Sequence, residues 1–145
     1  MHKIAVIYYS DSGETAAMAE QIALGADSFD SEAELIAVSD FILEDVNQYD
    51  AYAFGCPANS NEELEEYEFE PVFSYISDVL ANRPIVIFGS YTSGTGEWMD
   101  KWQARCEAMD LNLIAPGLKV KGAADQDELD DCQELGESLA EHLSL

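Results

Sequence analysis

Positive charge is what this chain lacks most: six Lys and Arg stand against 30 Asp and Glu in 145 residues, a formal charge of −24 at neutral pH. Affinity for nucleic acid and for anionic bilayers rests on clustered Lys and Arg. The sequence holds no such cluster, so neither class of partner is expected. Cysteine is also scarce. Cys56, Cys106 and Cys132 are widely separated, which suits neither a zinc ligand pair nor a small secreted disulfide framework, so they are read as reduced thiols. Long apolar runs are missing. The run Ile4 to Tyr9 is shorter than the hydrophobic region of a signal peptide, roughly 7 to 15 residues, and nothing approaches the ~20 residues of a membrane span. A cytoplasmic protein without membrane attachment is the expectation. With 48% apolar residues spread among the acids, the low hydrophobicity of a disordered chain is not met, and the length suits one domain.

What is present alternates strand with helix. Lys3 to Tyr9 is a β-branched and aromatic run that stops at the turn residues Ser10 to Gly13, and it predicts a buried strand. From Glu14 to about Leu24 the apolar positions recur at helical spacing. Glu34 to Val38 and Ala51 to Gly55 predict the second and third strands, with only weak helical signal from Ser39 to Asp50. After an acidic loop from Asn59 to Glu66, the residues Phe69, Val72, Phe73, Ile76, Val79 and Leu80 mark an amphipathic helix, Pro71 being tolerated in its first turn. Pro84 to Gly89 predicts the fourth strand, Ser90 to Gly96 a loop and Glu97 to Met109 a helix. Leu111 to Val120 holds a fifth strand interrupted by Pro116-Gly117, and Leu129, Cys132, Leu135, Leu139 and Leu143 mark a closing helix. Such alternation predicts parallel βαβ units wound into a doubly wound α/β domain, a five-strand parallel sheet with helices on both faces. Ligands of such sheets sit outside the carboxyl ends of the strands. Three segments should therefore meet there: Ser10 to Thr15, Cys56 to Glu62 and Ser90 to Gly96.

The first of these, Ser10-Asp11-Ser12-Gly13-Glu14-Thr15, sets three hydroxyls and a glycine between a strand and a helix N-terminus. Free amides and the helix dipole make such a turn a phosphate site even without Lys or Arg. Read alone, the loop is better explained by ordinary capping through Ser12 or Ser10. Its context changes that balance. The loop resembles the phosphate loop Thr/Ser-x-Thr-Gly-x-Thr of the flavodoxin family. Phe54-Gly55-Cys56-Pro57-Ala58, the acids Glu62 to Glu66, Phe69-Glu70-Pro71, and Phe88-Gly89-Ser90-Tyr91 with Gly94-Thr95-Gly96-Glu97-Trp98-Met99 resemble short-chain flavodoxins in the same order and at similar spacing.

That resemblance covers essentially the whole chain. It implies a flavodoxin-like three-layer sandwich with strand order 2-1-3-4-5, tightly bound FMN, and single-electron shuttling between redox proteins; a monomer is expected. Carried over by position, Ser10, Ser12, Gly13 and Thr15 would hold the FMN phosphate, with Asp11 and Glu14 beside it. Pro57, Ala58, Asn59, Ser60 and Asn61 would line the loop near flavin N5, and Glu62 matches the carboxylate that accepts the flavin N3 hydrogen bond. On composition alone Glu62 is one more solvated acid in an acidic run. Ser90, Tyr91, Thr92, Ser93, Gly94 and Gly96 would line the opposite edge of the ring, and the resemblance places Trp98 on the following helix, packed in the core.

The sequence departs from the family pattern in three respects. Asn59 and Ser93 stand where relatives usually carry a large apolar side chain and a Trp that sandwich the ring. Ser60 stands where Gly is frequent; a side chain there disfavours positive φ, although Asn61 tolerates it, so a less stabilised one-electron-reduced flavin is expected. Asp11 and Glu14 set carboxylates beside a phosphate dianion, so binding should strengthen with salt. The charge of −24 implies a low potential and attraction to basic docking patches on redox partners; salt adaptation is a competing cause of it. Two further readings stay open: a flavodoxin-fold NAD(P)H-dependent quinone or flavin reductase, and a degenerate domain that binds FMN weakly or not at all. Asp125 to Asp131 lacks the pattern of a calcium loop and reads as an acidic helix N-terminus. Gly94-Thr95-Gly96 lacks the setting of a dinucleotide fingerprint.

Overall fold

The computed structural model describes residues 1–145. Its strands are β1 (His2–Tyr8), β2 (Ser31–Ala37), β3 (Ala51–Gly55), β4 (Pro84–Tyr91), β5 (Asn112–Leu113) and β6 (Leu118–Lys121). Its helices are α1 (Glu14–Ala26), α2 (Phe69–Val79), α3 (Glu97–Ala108) and α4 (Gln126–Ser144). Every strand pair is parallel, and the order is β2-β1-β3-β4-β5 with β6 also paired to β4. The expected fifth strand is thus two short strands sharing one edge of β4. Pro116-Gly117 falls between them, because Pro cannot donate to a ladder and confines pairing to either side of itself.

The central strands are buried on both faces, and the period of two divides their side chains between two cores. Ala5 and Ile7 of β1, Tyr52 and Phe54 of β3, and Ile85 and Ile87 of β4 join one core with α2 and α3. Ile4, Val6, Ala51, Ala53, Val86 and Phe88 face the other, under α1 and α4. β3 therefore presents aromatics to one helix layer and only alanines to the other. On the aromatic side, Phe54 meets Phe73 edge-on at 5.0 Å between centroids, and Trp102 meets Phe69 and Phe73 at 5.6 Å each. Pairs of this geometry contribute about 0.5–1.5 kcal/mol beyond their area. On the alanine side the helices come closer. A methyl added at Gly25 of α1 would fall on the Gln133 carbonyl oxygen of α4, and one at Gly136 of α4 on the Ile22 carbonyl oxygen of α1.

Several boundaries differ from the sequence reading. β2 begins at Ser31 rather than Glu34, because its whole length pairs with β1, from His2 opposite Ser31 to Tyr8 opposite Ala37. Val38 leaves the strand for the first of two 3₁₀ turns, Val38–Asp40 and Leu43–Gln48, that carry the chain to β3. Ser90 and Tyr91 belong to β4 and not to the loop after it, since they pair with Val120 and Lys121 of β6. Val79, placed on the apolar face of α2 by its spacing, is exposed at the helix end. α4 opens three residues before Leu129, at a capping box in which the Asp125 carboxylate accepts from the Glu128 N–H and the Glu128 carboxylate from the Asp125 N–H. The acids there serve the helix N-terminus, as their position in the sequence implies.

Candidate functional site

Strand order reverses between β1 and β3, because the chain leaves β1 for β2 on one side and returns to β3 on the other. The carboxyl ends of these strands open onto a cleft. The loop after β1 is shaped by Ser10, whose Oγ accepts from the N–H of Gly13 at 3.1 Å and of Ala16 at 3.4 Å. Ser10, rather than Ser12, therefore caps α1, and it does so from outside the helix. Gly13 holds the N-cap position with φ of 91°, a conformation that glycine adopts without penalty. The amides of Asp11, Ser12, Glu14 and Thr15 have no protein acceptor, so they remain free to bind an anion at the positive end of α1.

The cleft, of about 380 Å³, is lined by Asp11, Ser12, Glu14, Pro57, Ala58, Ser90, Tyr91 and Thr92. All three segments expected to converge do so. Thr15 is buried behind the cleft, and its Oγ1 lies 2.7 Å from the Ser90 Oγ, itself only 2% exposed. No Lys or Arg lines the cleft, whereas two carboxylates do. Any phosphate there rests on amides, hydroxyls and the helix dipole. Tyr91 is half-buried and packs at 5.4 Å against Trp98, whose indole N–H donates to the Cys56 carbonyl at 3.2 Å. Trp98 is thus fixed in the core of α3, as expected, and Tyr91 is the aromatic surface the cleft retains.

The loop after β3 folds around Asn59. Its Oδ1 accepts from the N–H of Asn61 and of Glu63, both at 2.9 Å, and its Nδ2 donates to the Leu64 carbonyl at 3.4 Å. This Asx turn uses up the side chain, so Asn59 organises its own loop and does not line the cleft. Ser60, Asn61 and Ser93 are exposed and stand outside the cleft lining. The positive φ that a side chain at Ser60 disfavours and Asn61 tolerates falls on neither residue but on Glu62, with φ of 56°. Such a conformation costs a non-glycine residue about 1 kcal/mol or more. An anchor offsets it: the Glu62 Oε2 accepts from the Trp98 N–H at 2.7 Å, in the first turn of α3. Its Oε1 lies against Gly94, where φ of 82° and the carboxylate together require glycine. Gly96, with φ of 81°, is the N-cap of α3. Glu62 is therefore not one more solvated acid: it ties the loops after β3 and β4 together.

Sequence reasoning overlooked Glu65. Its Oε1 accepts from the N–H of Glu68 at 2.6 Å and of Phe69 at 2.8 Å, and its Oε2 from that of Tyr67 at 2.8 Å. Burial pushes this carboxyl up, but the three backbone donors outweigh burial and hold it below its ordinary value. The available signal was an acid just ahead of an apolar helix. Beneath the same loop the Cys56 thiol is pushed up to about 12, chiefly by burial, so it stays protonated and inert. All three cysteines are buried and unpaired.

A doubly wound parallel sheet with an anion-competent cleft at its switch point defines an α/β domain that binds a phosphorylated ligand. The profile of one such family, flavodoxin, matches residues 6–136. The flavodoxin of Megasphaera elsdenii is 35% identical over 137 residues, covering 94% of this chain and 98% of that protein. The flavodoxin of Clostridium beijerinckii is 34% identical over 135 residues, covering 93% and 97%. The solution structure of two-electron reduced Megasphaera elsdenii flavodoxin superposes with a TM-score of 0.82 at 33% identity, covering 95% of this chain and 98% of that one. The chain belongs to the flavodoxin family of FMN-binding electron carriers.

The phosphate end of the cleft suits FMN: free amides, the hydroxyls of Ser12, Ser90 and Thr92, and open space beside Gly13 supply the donors and the room a phosphate needs. Beyond the phosphate loop the cleft presents Pro57, Ala58 and the aromatic side chain of Tyr91, while Asn59, Glu62 and Ser93 lie outside its lining.

Proposed function

We propose that this chain carries electrons at low potential between redox proteins in the cytoplasm, acting as a monomer on bound FMN. FMN supplies the one- and two-electron chemistry, and the protein's residues fix it and set its surroundings. Ser10 would shape the phosphate loop while Ser12, Gly13 and Thr15 and the free amides hold the phosphate, against the repulsion of Asp11 and Glu14. Pro57, Ala58 and the loop Asn59 to Asn61 would border the ring near N5, and the Glu62 Oε1, left without a donor while Oε2 serves Trp98, would accept from N3. Tyr91 would lie along one ring face, and Thr92 to Gly96 along the far edge. The field of a chain of charge −24 disfavours adding an electron and attracts basic docking patches on donors and acceptors. No helix is long and apolar enough to cross a membrane.

The observation that carries this reading is the convergence of the three loops on one cleft within a chain matched over residues 6–136 by the flavodoxin family. The same match does not favour a nicotinamide-dependent reductase or a flavin-free domain. The test is the visible absorption of the protein after addition of FMN and desalting, at low and at high salt. Retained flavin bands are expected. A protein that leaves the column colourless under every salt condition would contradict the proposal.

A further inference from the structure

Between α1 and β2 lies a groove of about 390 Å³, as large as the cleft at the phosphate loop, and the flavin reading leaves it unused. Its apolar wall is Ala23 and Leu24 of α1 with Ala33 and Leu35 of β2. Leu24 is 62% exposed and Leu35 41%. A leucine exposed singly needs no explanation, but two that line one groove mark an interaction surface. The turn that joins the same two elements adds Phe29, 48% exposed. Phe29 and Asp30 hold φ of 49° and 61° there, a conformation disfavoured for any residue with a side chain. The chain thus keeps a third large apolar side chain in solvent, on a strained backbone, two residues from the groove residue Asp27.

The lining also constrains what fills the groove. β2 is an edge strand of the sheet, yet the Ala33 N–H donates to the Asp27 Oδ1 at 3.3 Å. A carboxylate set against an edge amide obstructs pairing with another strand. The occupant therefore packs by side chains, as an amphipathic helix does in an apolar groove. The charged lining residues are Glu20 and Asp27, with no Lys or Arg, which calls for a basic rim on the occupant. A second copy of this chain fails that requirement, because a two-fold contact sets the same acids against each other, on chains of charge −24. Position supplies the last constraint. Leu24 lies about 15 Å along the axis from the first residue of α1, and β1 separates β2 from β3 and β4, whose following loops would border the flavin ring. A protein seated on the groove leaves that end open. We infer that the groove between α1 and β2 docks a basic amphipathic helix of a redox partner, with Leu24 and Leu35 receiving its apolar side and Glu20 and Asp27 its Lys or Arg residues. The choice of a redox protein as owner of that helix rests on the electron-carrier reading above.

The test is fluorescence anisotropy at about 0.15 M salt, with a dye-labelled peptide of about 18 residues made of Leu and Lys, its leucines at helical spacing. An isomer of the same composition in scrambled order controls for charge. The wild type should bind the amphipathic peptide about tenfold or more tightly than the isomer. Leu24→Ser and Leu35→Ser should each weaken it by about fivefold and leave the isomer unchanged. Val79→Ser, at an apolar residue 40% exposed on α2, should change neither. Glu20→Lys should weaken the peptide more than Glu134→Lys, which alters the net charge equally but on α4. Both leucines are exposed, so the variants should fold and retain FMN as the wild type does. Equal binding of the two peptides, equal losses from Val79→Ser and the leucine variants, or equal losses from the two charge reversals would each overturn the proposal. So would a dimer in sedimentation equilibrium that Leu24→Ser dissolves, since the groove would then hold a second copy. The titration needs no flavin, so its failure is distinct from that of the flavin reading: a protein that binds the peptide as expected but retains no FMN would remove only the redox protein as owner of the helix.

Discussion

Glu65 shows how much one acidic side chain can do in a chain crowded with them. Its carboxylate gathers three backbone donors ahead of α2, and its pKa is held low by them despite burial. A carboxyl with a depressed folded pKa stabilises the protein above its unfolded value, about 4.3, and loses that contribution as pH falls through the folded value. Glu65→Gln should therefore cost about 0.5–2 kcal/mol at neutral pH, a gap that closes as the pH falls below about 4. Urea titrations of both proteins across that range would show it. A gap independent of pH would mean that the charge on Glu65 is not what caps the helix. Glu62 differs in kind, because its work spans two loops rather than one helix.

Among the elements, α1 carries the phosphate loop, so whatever fixes α1 fixes the site. Its contact with α4 runs through Gly25 and Gly136, where an added methyl meets a backbone carbonyl that cannot move aside as a side chain would. Gly136→Ala should destabilise the fold by about 1–3 kcal/mol and weaken FMN binding by displacing the loop. Thermal unfolding with and without FMN would measure both, and an unchanged melting temperature would show that the helices have room to spare. No sequence signal announces this contact, since a glycine in a helical run reads only as a local weakness. The strands were legible for the opposite reason: Ile4 to Ile7, Ala51 to Phe54 and Ile85 to Phe88 are buried on both faces and so read as continuous apolar runs. Ser90 and Tyr91 were missed as strand because small and polar residues look like loop, and only pairing with β6 shows otherwise. For the site, the loop residues Ser12, Glu14, Ala58 and Thr92 were legible as a convergence. The inward fold of Asn59 and the Thr15–Ser90 pair depend on distances that no spacing encodes.

At the scale of the whole molecule, charge governs both partners of the reaction and pulls in opposite directions. Asp11 and Glu14 in the cleft lining, within a field of −24, repel the phosphate, and salt shortens that repulsion from a Debye length of ~30 Å at 0.01 M to ~8 Å at 0.15 M. FMN affinity should accordingly rise as salt is added, while encounter with a basic redox partner slows. Equilibrium titration of FMN at several salt concentrations checks the first, and stopped-flow mixing with a basic acceptor the second. An FMN affinity that falls steeply with salt would point to unrecognised cations in the site. The division of the sheet into an aromatic face and an alanine face has a further outcome, which concerns light. The chain's two tryptophans, Trp98 and Trp102, both sit on α3 on the aromatic side, and Trp98 touches the Tyr91 that lines the cleft. Indole emission therefore comes from one flank alone, beside the place a yellow chromophore would occupy, and the packed pair of α1 and α4 contributes none of it.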